Sequence, residues 1–106
     1  MKKQFEMQKM LQAQMGFPMG QGIEAIKENA LALIVEVTEA LNETDWKLWQ
    51  ASGEYGRYDK EKLVHELADI QQFLFNIVAA AEYSYEEFKL ALDVKQRRTY
   101  ERYAKK

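Results

Sequence analysis

The stretch "ALALIVEVTEAL" (residues 30–41) decides the fold class, because it is apolar on almost every side of a helix and holds neither proline nor glycine. Alanine and leucine are strong helix formers, and they dominate it. A helix that is apolar on most sides normally lies in the centre of its protein. We therefore predict a long central helix over residues 23–44.

Three further helices are predicted on either side of this one. A first helix is predicted over 3–15, because the turn-forming segment "GFPMGQG" (16–22) follows it. A third helix is predicted over 60–82, after the turn-forming segment "ASGEYGRYDK" (51–60). The first helix has an apolar side at helical spacing, which predicts a packing face. That side consists of Met7, Met10, Leu11 and Met15.

Capping residues mark the starts of the last two helices. Asp59 is the expected N-cap of the third helix. Ser84 and Glu87 form a capping box before a fourth helix that runs into the basic end "KQRRTYERYAKK". We predict an all-α, four-helix-bundle-like protein that forms one domain over residues 1–106.

Composition excludes several functions. The net charge of −2 argues against binding a nucleic acid polymer. No apolar run approaches the roughly 20 residues that a membrane helix needs. The absence of cysteine rules out disulfides and thiolate metal sites and suits a cytoplasmic setting.

Two acidic pairs stand out on the two long helices. Glu36 and Glu39 are three residues apart and share a helix face, and Glu66 and Asp69 repeat that spacing. If the helices pack together, the four carboxylates converge and repel each other unless a cation joins them. An oxygen-only site suits Mg²⁺, with Mn²⁺ as the alternative.

These acids have two other interpretations. Acidic residues at this spacing on a helix often form no more than a solvated surface, although the apolar surroundings here favour a site. A di-iron centre needs Glu-x-x-His motifs from two helices. The chain has one histidine, His65, which directly precedes Glu66 and is out of register for that motif.

The two motifs ExxE (Glu36, Glu39) and ExxD (Glu66, Asp69) resemble those of the all-α nucleoside triphosphate pyrophosphatases. This superfamily includes MazG-like proteins, dimeric dUTPases and phosphoribosyl-ATP pyrophosphohydrolases. "ELADIQQFLFNIVAA" is similar to its second metal helix, in which an asparagine, here Asn76, follows the aspartate by seven residues.

Two more segments extend the resemblance. "EALNETDWKLW" is similar to the segment of dimeric dUTPases and phage MazG-like proteins that supplies an asparagine, a lysine and a tryptophan. "KQRRTYER" is similar to a KxxxNxxR motif near the end of some relatives, except that Thr99 replaces the asparagine. The implied substrate-binding residues are therefore Asn42, Lys47, Trp49, Asn76, Lys95 and Arg102.

The resemblance implies a Mg²⁺-dependent enzyme of nucleotide-pool control that converts a (deoxy)nucleoside triphosphate to the monophosphate and diphosphate. The four acids would hold the metal, and Glu39, with Glu36 as the second candidate, would act as the catalytic base. Known relatives are dimers or tetramers, so a homodimer or homotetramer is expected. The alternative is a non-catalytic helical module that binds nucleotides or serves oligomeric interaction.

The proposed substrate residues also have structural interpretations. A tryptophan at a helix end, such as Trp49, is often part of a core or a subunit interface. The basic tail that contains Lys95 and Arg102 also complements the dipole at a helix C-terminus. The preferred base is left open by the sequence.

Overall fold

Four α-helices make up the fold of the computed structural model, which describes residues 1–15, 21–49 and 55–104. They are α1 (Lys2–Met15), α2 (Ile23–Asn42), α3 (Lys60–Ala80) and α4 (Tyr85–Ala104). The described residues contain no β-strand and one isolated bridge, between Thr44 and Tyr58. The all-α prediction is confirmed. Most of the predicted turn at 16–22 and part of the loop at 51–60 lie outside the described residues.

Both predicted helix caps form. The Asp59 side chain accepts hydrogen bonds from the backbone N–H groups of Glu61 (3.0 Å) and Lys62 (3.1 Å). The Ser84 Oγ accepts from the Glu87 N–H at 3.1 Å, and the Glu87 carboxylate accepts from the Ser84 N–H at 3.0 Å. These bonds satisfy N–H groups that have no partner inside the helix.

The turn between α3 and α4 is a Schellman motif. Glu82 has a φ of 65°, the left-handed conformation that usually falls to glycine. The Glu82 N–H donates to the Ala79 carbonyl (2.9 Å), and the Tyr83 N–H donates to the Val78 carbonyl (3.1 Å). This motif ends α3 two residues before the predicted end at 82.

Helix α3 contacts both α2 and α1 and is the central helix of the described chain. Helices α2 and α3 are antiparallel, because the Gly22 N–H at the start of α2 donates to the Ala80 carbonyl at the end of α3 (2.9 Å). The prediction that the helix at 23–44 is central was wrong within one chain. The outer side of α2 is exposed because α1 packs on α3 instead.

The core lies where α1 meets the second half of α3. Phe5, Phe75 and Val78 are buried there, and Tyr85 and Phe88 at the start of α4 pack against them. The Phe5 and Phe75 rings meet edge to face, with centroids 5.4 Å apart. The first turns of α4 are thereby anchored to α1 and α3.

The predicted packing face of α1 was wrong within the chain. Met7 and Met10 are 55% and 59% exposed, whereas Phe5 and Gln8 are buried. The buried side of α1 is therefore rotated from the methionine-rich side, because the large Phe5 ring fills the core. Met7 and Leu11 instead line an open space between α1 and α3. The side chain of Met15 lies outside the described part of the chain.

Candidate metal centre

Three carboxylates from two helices meet at one point. Glu36 and Glu39 of α2 and Glu66 of α3 each offer an oxygen, and these oxygens all lie within 4.8 Å of one another. Glu36 and Glu66 are half-buried, and Glu39 is exposed. The antiparallel packing of α2 on α3 therefore brings the ExxE and ExxD segments together.

The pKa of Glu36 is raised above its ordinary value of 4.5. Burial is the largest cause, because it disfavours the charged form. The negative charges of Glu39, Asp69 and Glu66 follow in that order, and a hydrogen bond with Glu39 adds to them. A proton on Glu36 thus relieves the repulsion that a cation would also relieve.

An oxygen of Glu66 indicates that a cation fits this cluster. Glu66 Oε2 is buried and has no hydrogen-bond partner among the described residues. An unpaired buried carboxylate oxygen is costly, and a metal ion would satisfy it. The donors are all carboxylate oxygens, which suit a hard ion such as Mg²⁺.

Asp69 lies outside the group of three but acts on it. Its side chain is exposed on α3, one turn after Glu66, and its charge contributes to the raised pKa of Glu36. The acid that follows the cluster on α2, Glu43, caps the end of that helix. Asp69 therefore remains the predicted fourth ligand, at the exposed edge of the cluster.

The segment after α2 holds the predicted lysine and tryptophan. The Trp46 and Trp49 rings meet edge to face, with centroids 5.7 Å apart, and Lys47 Nζ lies 5.7 Å from the Trp46 centroid. Trp49 is 72% exposed, and Asn42 is also exposed. Both tryptophans thus offer aromatic surface beyond the end of α2.

Backbone hydrogen bonds fix this segment to the chain before α3. The Asp45 N–H donates to the Arg57 carbonyl at 2.8 Å, and the Gly56 N–H donates to the Asp45 carbonyl at 2.7 Å. Together with the bridge between Thr44 and Tyr58, they join the two ends of the α2–α3 connection.

The structure buries Asn76 in an amide network that the sequence analysis missed. Gln8 Nε2 donates to Asn76 Oδ1, and Asn76 Nδ2 donates to Asn29 Oδ1, both at 3.0 Å. Asn29 Nδ2 in turn donates to the Ala25 carbonyl at 2.8 Å. The network joins α1, α2 and α3. Polar residues at inward positions of otherwise apolar helices were the available signal.

The two predicted basic residues of α4 lie on an exposed part of that helix. Lys95 and Arg102 are both exposed, and the Arg102 guanidinium lies 5.9 Å from the Tyr103 ring centroid. Helix α4 packs on α1 rather than closely along α2. Among the described residues of one chain, the helix contacts therefore do not bring these two residues to the acidic cluster.

A cavity of about 410 Å³ lies between α1 and α3. Its wall is mostly apolar and includes Met7, Leu11 and Phe75, with the amides of Gln8 and Gln71. Gln71 Nε2 is buried and lacks a hydrogen-bond partner among the described residues. A mostly apolar space with a few amides can hold a flat polar ring.

The family model described as dUTPase matches residues 1–105. The chain belongs to this dUTPase family. Membership agrees with the all-helical fold and implies a nucleotide pyrophosphatase that acts on a nucleotide substrate. Comparison with curated proteins and with solved structures gives no match. Among the described helices, none is both long and apolar enough to cross a membrane.

Proposed function

We propose that the chain hydrolyses dUTP to dUMP and diphosphate in a Mg²⁺-dependent reaction. The observation that supports this most is the meeting of three carboxylates from two helices in a member of the dUTPase family. The unpaired oxygen of Glu66 and the raised pKa of Glu36 are further support, since both are expected where a cation is to bind.

The proposed metal ligands are the carboxylates of Glu36, Glu39, Glu66 and Asp69. When bound, Mg²⁺ would neutralise phosphate charge and lower the pKa of the attacking water. Glu39 is the exposed member of the group of three, so an incoming water can approach it from solvent. We assign Glu39 to accept the proton of that water, with Glu36 as the second candidate.

The triphosphate requires positive groups from the protein as well as the metal. Lys47 is the proposed phosphate contact on the segment after α2, and Lys95 and Arg102 are the proposed contacts on α4. Asn42 and Trp49 are proposed to bind the nucleoside, Trp49 because its exposed ring offers a stacking surface. A direct role for Asn76 requires its buried amide to exchange a present partner for the substrate.

The cavity between α1 and α3 is the second candidate for the base. Its lining residue Gln72 follows Asp69 by three positions, so one part of the cavity wall lies on the side of α3 that also carries this acid. Its amides offer the donors and acceptors that a uracil ring requires. Replacing Trp49 and Gln71 by alanine separately, and measuring KM for dUTP, distinguishes the two places.

The test is release of diphosphate from each (d)NTP, with Mg²⁺ and with a chelator. We expect release from dUTP in preference to dTTP and dCTP, and none with the chelator. Release of phosphate instead of diphosphate would contradict the proposed reaction. Binding of dUTP without any release would favour the alternative, a non-catalytic nucleotide-binding module.

A further inference from the structure

A buried hydrogen bond joins the two helices that carry the acidic cluster. Asn76 Nδ2 on α3 donates to Asn29 Oδ1 on α2 at 3.0 Å, and the two residues are 5% and 2% exposed. A second bond orients each amide. Asn29 Nδ2 donates to the Ala25 carbonyl (2.8 Å), and Asn76 Oδ1 accepts from Gln8 Nε2 (3.0 Å). The two asparagines, called the amide pair below, therefore face each other in a fixed orientation.

The amide pair and the acidic cluster depend on the same register of α2 against α3. Glu36 lies seven residues after the α2 asparagine, and Asp69 lies seven residues before the α3 asparagine. Glu39 and Glu66 lie ten residues from the same two asparagines. Because the helices are antiparallel, these equal steps run in the same direction along the pair. The register that places the asparagines opposite each other thus also brings the acids together.

The distance between the two features is short. Seven residues are almost two helical turns, so Glu36 lies on the same side of α2 as Asn29 and about 10 Å further along. Asp69 stands in the same relation to Asn76 on α3. Any slide of one helix along the other at the amide pair is therefore transmitted to the carboxylates.

The amide pair specifies the register more strongly than its apolar neighbours do. The other buried residues of α2 are Ala25 and Ala40, and Ala80 is buried on α3. Such small side chains give little resistance to sliding. A slide of one turn, about 5.4 Å, would leave two buried amides without their partner, which is costly. A buried asparagine fixes the register of coiled-coil helices for the same reason.

We infer that Asn29 and Asn76 are positioning residues for the metal centre, because their hydrogen bond holds α2 and α3 in the register that joins the acids. A slide of one turn exceeds the 4.8 Å within which the three carboxylate oxygens lie, so one ion could no longer bind all of them. This role differs from the substrate contact that the resemblance implies for Asn76. The inference rests on the proposed function only in taking these carboxylates as metal ligands.

The first test replaces both amides at once. Asn29→Leu alone leaves the Asn76 amide buried without this acceptor, whereas Asn29→Leu with Asn76→Leu replaces both by apolar side chains of similar volume. We expect the double variant to melt at a higher temperature than the single one. The affinity for Mg²⁺, measured by calorimetry without nucleotide, should be roughly tenfold or more weaker in both variants. A merely structural role would let the affinity recover with the stability.

Val78→Ala is the matched control for loss of stability. Val78 is 7% exposed in the core between α1 and α3, so the substitution lowers the melting temperature without altering the amide pair. Its affinity for Mg²⁺ should equal that of the wild type. An equal affinity of wild type and double variant, or an equal loss with Val78→Ala, would overturn the inference.

The second test measures the register without metal. The chain has no cysteine, so spin labels can be attached at Glu28→Cys on α2 and Glu61→Cys on α3, both exposed and far apart along the helix pair. Samples in chelator are diluted with unlabelled chain, so that only distances within one chain are recorded. We expect one narrow distance with the native amides and a displaced or broader distribution in the double variant.

The two tests separate failure of the inference from failure of the proposed function. The same label distance in both backgrounds would overturn the positioning role. A wild type that binds no Mg²⁺, together with a displaced distance in the double variant, would contradict the proposed metal site and still support the role of the amide pair in setting the register.

Discussion

The two faces of α2 are inverted relative to an ordinary surface helix. The inner face, against α3, presents Asn29 and Glu36 among the small residues Ala25 and Ala40. The outer face presents large apolar side chains to solvent. In a protein that functions alone, the apolar face would be inside. The difference associates the polar side of this helix with the candidate site, and it makes the exposed apolar side the surface that the expected homo-oligomer would bury.

The largest expected effect is on the inner face. Glu36→Gln should lower kcat for dUTP by roughly 100-fold or more, because a lost metal ligand removes several kcal/mol of transition-state stabilisation. The melting temperature without metal should not fall, since the substitution removes repulsion within the cluster. Glu28→Gln, an exposed acid two turns earlier on α2, is the control. Near-normal activity of Glu36→Gln would contradict the proposed site.

The amide network on the inner face should give the next largest effect. Asn76→Ala removes one hydrogen-bond partner from Gln8 and one from Asn29, so the free energy of unfolding should fall by roughly 2–4 kcal/mol. Urea titration at fixed protein concentration measures it. Gln14→Ala, exposed on α1, should change it by less than about 0.5 kcal/mol. An equal effect of both would show that the network is unimportant for stability.

The outer face predicts that stability depends on concentration. If unfolding separates two chains, a tenfold increase in protein concentration should raise the melting temperature by about 2–4 °C. Calorimetry over a hundredfold range of concentration measures this shift. Ile34→Glu should abolish the dependence. A wild-type melting temperature that does not change with protein concentration would contradict the view that the outer face of α2 binds another chain.

The smallest expected effect is a pH dependence of the free energy of unfolding, which arises at Glu36 on the inner face of α2. The folded state binds a proton on Glu36 more tightly than the unfolded state does, because the pKa of Glu36 is raised in the fold. In chelator, this contribution to stability is present below pH 4.5 and is lost as pH rises through the raised pKa. Mg²⁺ should reverse the loss, since it replaces the proton.

The Glu36→Gln variant isolates that contribution. The difference in unfolding free energy between wild type and variant, measured in chelator, should change with pH only in this range. Because the metal competes with the proton, the stabilisation of wild type by Mg²⁺ should grow as pH rises. A difference that is independent of pH would show that Glu36 carries no unusual proton.

Local signals predicted the helices well. Asp59 and the Ser84–Glu87 box were found from the sequence, because a cap needs only neighbouring residues. The spacing of acids predicted that two helices bring carboxylates together, and the structure places Glu36, Glu39 and Glu66 in one group. Their role as ligands stays a prediction.

What the sequence did not predict depends on contacts between distant segments. The rotation of α1 follows from where the Phe5 ring fits against Phe75, and no periodicity within α1 contains that information. The network of Gln8, Asn29 and Asn76 likewise links positions 47 and 68 residues apart. The middle position of α3 is decided by which neighbours pack on its two faces, so α2 was wrongly taken as central.

The hydrogen bonds among Asp45, Gly56 and Arg57 have a consequence for how such proteins can vary. They close the connection between the two acid-bearing helices at its base, as the Gly22 to Ala80 bond closes the opposite end of the pair. Residues inserted between Asp45 and Gly56 lengthen a loop whose two ends are already joined by hydrogen bonds, and each doubling of the loop length costs only about 0.6 kcal/mol. Insertions there should leave the distances between the carboxylates unchanged. The connection can therefore acquire residues that contact the substrate without altering the candidate metal site.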